Sequence, residues 1–94
     1  MPTLFKNKTD DGDGTVIDWN GNDNPAGIQV EGTWDGATVT LNGSYNGGTS
    51  YLSPANGTFT EDTITDIDIA TGKVKATISN AGASTDLSCY ISPG

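Results

Sequence analysis

The chain has 94 residues, 33% of them hydrophobic, with 12 acidic side chains against four lysines, no histidine and a formal charge of −8. That length makes one domain with a thin core, since a domain of this size hides only about 60–65% of the surface its unfolded chain exposes. The acidic balance removes the electrostatic drive toward phosphate backbones and anionic lipid, which sets aside nucleic acid and membranes as partners, and a single cysteine rules out an internal disulfide.

Leu, Ile, Val and Phe number 17 of 94, a proportion that at this net charge favours disorder. Periodicity argues the other way, because about two thirds of the chain alternates apolar and polar residues in short runs. Residues 1–14, "MPTLFKNKTDDGDG", contain no apolar run of signal-peptide length, and no stretch of the chain is long and apolar enough to cross a bilayer. The expectation is a soluble protein made without a cleaved export signal. Leu4 and Phe5 are the only strong apolar anchors of this segment. It therefore reads as an extended arm at 1–14 that orders on a neighbour, ahead of a domain at 15–94.

"TVIDW" at 15–19 is a plausible first strand, followed by the turn-rich loop "NGNDNPAG". In the next strand Ile28, Val30, Gly32 and Trp34 share one face and Gln29, Glu31 and Thr33 the other. Asp35-Gly36 suits a two-residue type I′ turn and predicts a hairpin, with Ala37, Val39 and Leu41 inward on the return strand. Asn46-Gly47-Gly48 turns the chain into a strand at "TSYL", and "SPANG" breaks it before another strand at "TFT". In "TITDIDIA" Ile67 and Ile69 are in phase but Ile64 is not, which predicts a bulge or strand start near Thr65 or Asp66. Thr71-Gly72 leads into "KVKATIS", with Val74, Ala76 and Ile78 inward. "TDLSCYI" closes the domain with Leu87, Cys89 and Ile91 inward. About seven or eight short strands and no helical stretch make this all-β, a small antiparallel β-sandwich of jelly-roll or immunoglobulin-like type, or a small barrel.

Asp10, Asp11 and Asp13 could offer hard oxygen ligands to calcium. Their spacing does not fit an EF-hand: counting from Asp11, the sixth position is Val16 where Gly is needed and the twelfth is Asn22 rather than Glu. The alternative is a solvated acidic turn, and nothing else calls for a cofactor. Without histidine a nucleophilic Ser or Cys lacks its usual base. Glu31, Glu61 and the aspartates fall on polar strand faces or in loops, so no enzyme is expected. Trp19 and Trp34 could form a sugar-stacking platform, but Trp19 is in phase with Ile17 and Trp34 with Val30, which makes both core or rim.

The run from "VEGTWDGATVTLNGSYNGGTSYL" through "FTEDTITDIDIATGKVKATISNAGASTDLSCYI" resembles a type of small bacteriophage virion protein. Those proteins carry a GT(W/F)-x-G-ATVTL hairpin, a Ser-x-(Asp/Asn)-Gly turn, a Phe-Thr step, a Gly-Lys or Gly-Tyr turn and a closing GAST-x-L strand. The matching residues here are Gly32, Thr33, Trp34, 36–41, Ser44, Asn46, Gly47, Phe59, Thr60, Gly72, Lys73 and 82–87. The resemblance implies a capsid decoration or cement protein on the outer head surface, made in the host cytoplasm and bound to the major capsid protein as a homo-oligomer, with a trimer favoured. A head fibre, or a tail appendage binding a receptor or carbohydrate, is the alternative. A thin core gains stability by mass action when apolar surface is shared with a shell. Leu4, Phe5, Lys6 and Lys8 of the arm are the capsid-contact candidates. Removing residues 1–9 is then expected to abolish attachment while leaving the β signal intact.

Overall fold

The computed structural model describes residues 3–23, 25–54 and 56–93. Nine strands are formed: β1 (Thr3–Lys8), β2 (Gly12–Asp13), β3 (Ile17–Trp19), β4 (Ala26–Thr33), β5 (Thr38–Ser44), β6 (Thr58–Phe59), β7 (Thr63–Ile67), β8 (Gly72–Ser79) and β9 (Asp86–Ser92). Among the described residues the only helical element is a single 3₁₀ turn at Gly21–Asp23. The strands make two antiparallel sheets packed as a sandwich, one ordered β1-β9-β4-β7, the other β2-β8-β5-β6 with β3 also beside β8.

Alternation along the long strands sets the core. Ile28 and Val30 of β4, Val39 and Leu41 of β5, Val74, Ala76 and Ile78 of β8, and Leu87, Cys89 and Ile91 of β9 are all sealed from solvent between the layers. Fully burying a Val, Leu or Ile side chain contributes about 1.5–3 kcal/mol, so these four strands supply most of the drive to fold. Between consecutive strands, only β2 to β3 and β5 to β6 stay within one sheet; every other connection crosses between layers.

That crossing corrects the expected hairpin. The Asp35-Gly36 turn does form, with φ of 45° and 84° and the Ala37 N–H donating to the Trp34 carbonyl at 2.8 Å. Yet β4 pairs with β7 and β9, whereas β5 pairs with β6 and β8. Each strand has one apolar face, and stepping to the opposite layer lets those faces bury against each other across the core.

The N-terminal segment is likewise part of the sandwich rather than an arm. β1 lies beside β9, with Thr3 opposite Tyr90, Phe5 opposite Cys89 and Lys8 opposite Leu87, and its register shifts twice. Such irregularities allow two adjacent apolar residues to face inward: Leu4 is 0% and Phe5 6% exposed. Asn7, at φ 52°, donates its N–H to Ser88 Oγ at 3.1 Å. β2 then joins the other layer along β8, and the Leu4 carbonyl accepts from Thr15 N–H at 2.7 Å. Stripping residues 1–9 would open the core, since truncating one buried Leu already costs about 2–5 kcal/mol.

Two smaller expectations also change. β7 runs along β4 without a shift, from Val30 opposite Thr63 to Ala26 opposite Ile67, so there is no bulge at Thr65 or Asp66; Ile64 simply faces out, 78% exposed. The expected strand at "TSYL" is reduced to one bridge between Gly43 and Leu52.

Candidate functional site

β5 runs from one end of the sandwich to the other, and each end carries a side-chain network. At its N-terminal end the 34–37 corner meets the 80–85 connection. Asp62 Oδ1 accepts both the Gly32 N–H at 3.0 Å and the Trp34 indole N–H at 2.8 Å. Asp35 Oδ2 accepts from Ser84 N–H at 2.8 Å. The buried Thr85 hydroxyl accepts from Gly82 N–H at 2.8 Å and donates to the Trp34 carbonyl at 2.9 Å. Two glycines are required here. At Gly32, φ is 137° and a Cβ would lie 2.1 Å from the Asp86 carbonyl oxygen; at Gly82 it would lie 2.3 Å from Asp35 Oδ2. The residues on which the virion-protein resemblance rests thus include those that tie the 34–37 corner to the 80–85 connection, beyond the last rungs of the β4–β9 ladder.

The N-terminal candidates divide. Leu4 and Phe5 are core residues, which corrects their assignment as shell contacts. Lys6 is exposed, and Lys8 Nζ is paired with Asp10 Oδ1 at 2.9 Å. The three aspartates of the calcium candidate are not brought together. Besides Asp10 on Lys8, Asp11 Oδ1 accepts from Ala81 N–H at 2.8 Å. Asp13 accepts from Lys75 Nζ at 2.8 Å and from the Thr77 hydroxyl at 2.7 Å, tying β2 to β8. Among the described residues no group of three or more acidic or thiol side chains is placed to hold a metal. The hydrogen bond from Lys8 holds the Asp10 carboxyl below its ordinary value, and Lys75, then Thr77, do the same for Asp13.

The two tryptophans sit at core and rim, as their phase with Ile17 and Val30 requires. Trp19 is 4% exposed; Trp34 packs partly buried on the core with its indole N–H committed to Asp62. Cys89 is fully enclosed, and burial pushes its thiol up to about 12, far from the thiolate a nucleophile needs. Among the described residues no helix is long and apolar enough to cross a membrane.

At the opposite end of β5 lies a cleft of about 370 Å³. Ser44 and Ile69, 2% and 3% exposed, form its floor; Tyr45 and Leu52, 68% and 78% exposed, stand at its rim. Asn46 organises the loop beside it. Its Oδ1 accepts from the Ser44 hydroxyl at 2.7 Å and from Ser50 N–H at 3.1 Å, while its Nδ2 donates to Ser50 Oγ at 2.9 Å. Tyr45 is fixed at both ends: its phenol oxygen accepts from Ala70 N–H at 3.0 Å, and its ring lies where a Cβ on Gly72 would come within 3.0 Å of Cδ1.

Sequence reasoning did not single out this cleft. Strict alternation places Tyr45 inward with Val39 and Leu41, but the phase slips at Gly43, so that Ser44 is buried and Tyr45 exposed. The available signal was the Ser-x-Asn-Gly turn, whose side chains can replace strand hydrogen bonds.

Compared with protein-family models, curated proteins and solved structures, the chain matches none.

Proposed function

We propose that this protein is a structural component of a bacteriophage virion, a decoration or cement protein bound to the major capsid protein on the outer head surface as a homo-oligomer, with a trimer favoured. The observation that carries the reading is the corner at Trp34. Gly32, Trp34, Gly36, Gly82 and Thr85, all residues behind the resemblance, belong to one connected unit there, so the pattern describes a folded device and not scattered turn residues. Contact rather than chemistry also suits the carboxylates: Asp10, Asp11, Asp13, Asp18, Asp35 and Asp62 all accept hydrogen bonds from the chain's own groups. An acidic exterior would keep a densely coated particle dispersed.

With Leu4 and Phe5 in the core, shell contact at the N-terminal strand falls to Lys6. The test is to mix purified protein with undecorated heads and count copies per particle. Saturable binding at a fixed number per capsomer junction is expected, with fewer copies bound by Lys6→Glu at limiting protein. Heads that stay bare would overturn the reading in favour of a head fibre or tail appendage.

A further inference from the structure

The cleft at the Tyr45 end has the features of a small-ligand site. Its volume of about 370 Å³ falls in the range of about 300–1,000 Å³ usual for such sites. Among the described residues none that line it is charged, although the chain carries a formal charge of −8. Ligands held mainly by charge-assisted hydrogen bonds, such as phosphates, carboxylates and ammonium groups, find no counter-charge in it.

What the cleft offers is an aromatic ring in a fixed orientation, aliphatic carbon from Leu52 and Ile69, and neutral polar groups with capacity to spare. The Tyr45 phenol accepts from Ala70 and keeps its own hydrogen to donate. The Ser50 hydroxyl accepts from Asn46 Nδ2, and that amide uses one of its two hydrogens in doing so. Asn46 Oδ1 already accepts twice. The remaining capacity is therefore chiefly donor, close to an exposed ring. Because these groups are already held by one another, little side-chain freedom is lost when a ligand arrives.

We propose that this cleft binds a neutral pyranose sugar, its C–H face on the Tyr45 ring and its hydroxyl oxygens toward Ser50, Asn46 and the Tyr45 phenol. Such a ring presents apolar carbon on one face and hydroxyls around its rim, the same combination in complement. A proline-rich peptide fits less well, since its extended helix calls for a groove lined by several aromatics. Among the described residues Tyr45 is the one aromatic lining the cleft, and Lys75 Nζ lies 4.2 Å from the centroid of the neighbouring Tyr51 ring. The proposal goes beyond attachment to a head and does not depend on it.

The experiment is an NMR titration of the full ¹⁵N-labelled chain with methyl glycosides of glucose, galactose and mannose, and separately with a proline-rich decapeptide. At least one glycoside is expected to give saturable shifts centred on the amides of Tyr45, Asn46, Ser50 and Leu52. Tyr45→Ala should weaken binding by about tenfold or more. Since that variant also loses the Ala70 contact, Leu52→Ser serves as the second: the exposed position should leave the melting temperature unchanged while binding falls a few-fold. The proposal is overturned if no glycoside moves those amides, if the shifts lie elsewhere, or if the peptide moves them and the sugars do not. It is equally overturned if the same amides shift with protein concentration alone, which would make the cleft a contact between copies.

Discussion

The two ends of β5 use the same materials to opposite effect. At the Trp34 end an aromatic, an acidic acceptor and glycines pressed on backbone close the sandwich, and the indole is covered and hydrogen-bonded. At the Tyr45 end an aromatic, an amide and a glycine under the ring are just as well ordered, yet Tyr45 and Leu52 stay open to solvent. The difference lies in what the polar groups span. Asp62, Asp35 and Thr85 tie the 32–35 corner to two other connections, whereas Asn46 satisfies its own loop and the Tyr45 phenol makes the reach to Ala70. One end is built to hold the fold, and the other presents a surface that the fold does not consume.

Glycine substitutions probe this most strongly. Gly32→Ala combines a positive φ with a backbone clash and should cost about 3 kcal/mol or more. Gly47→Ala, at φ 76° with nothing within 4 Å of the added carbon, should cost about 1–2 kcal/mol. Urea denaturation of the pair gives the comparison, and equal losses would erase the distinction between the ends.

A smaller effect is expected of Asp62→Ala, which leaves two donors without their acceptor and should cost about 1 kcal/mol. Trp34 emission should shift to the red as the ring loosens, while the Tyr45 amide is unmoved.

The smallest concerns Asp13, on the exposed β2 edge, where an ion pair is worth less than about 1 kcal/mol. Its folded pKa lies below the ordinary 3.8. Its contribution is therefore complete above that value and disappears as the pH falls through the lowered one. Asp13→Asn should be slightly less stable than wild type at neutral pH, and the two urea midpoints should converge as the pH falls below the lowered pKa. A deficit persisting in acid would mean that the carboxylate's charge is not what holds β2 to β8.

Much of the fold was legible because burial in a two-layer sheet leaves a period-two imprint. Ile28 and Val30, Val39 and Leu41, and Leu87, Cys89 and Ile91 face inward as their spacing requires. The imprint tells which face of a strand is buried and says nothing of its neighbours. Asp35-Gly36 was therefore read correctly as a turn and wrongly as a hairpin. Leu4 and Phe5 escaped because their side-by-side burial needs the irregular register of β1 along β9, which breaks the alternation used to find strands. The three carboxylates at 10–13 were legible as an acidic turn that does not fit an EF-hand, but their separate partners, Lys8, the Ala81 N–H and Lys75, lie on elements that sequence spacing does not reveal. Alternation alone does not locate Tyr45, because the phase slips at Gly43 and the buried Ser44 is hydrogen-bonded to Asn46.

The pairing of β1 with β9 also governs how the molecule must come into being. During translation the first strand leaves the ribosome with its ladder partner still unmade, so Leu4 and Phe5 remain uncovered for seconds at ordinary elongation rates. Closure is then a late event joining distant parts of the chain, a kind of step that is slow because the entropy of loop formation comes before any reward. Once β9 is made and before its own β1 closes on it, that edge can accept the same strand from a sister chain, making crowded synthesis the moment at which exchange between copies is easiest.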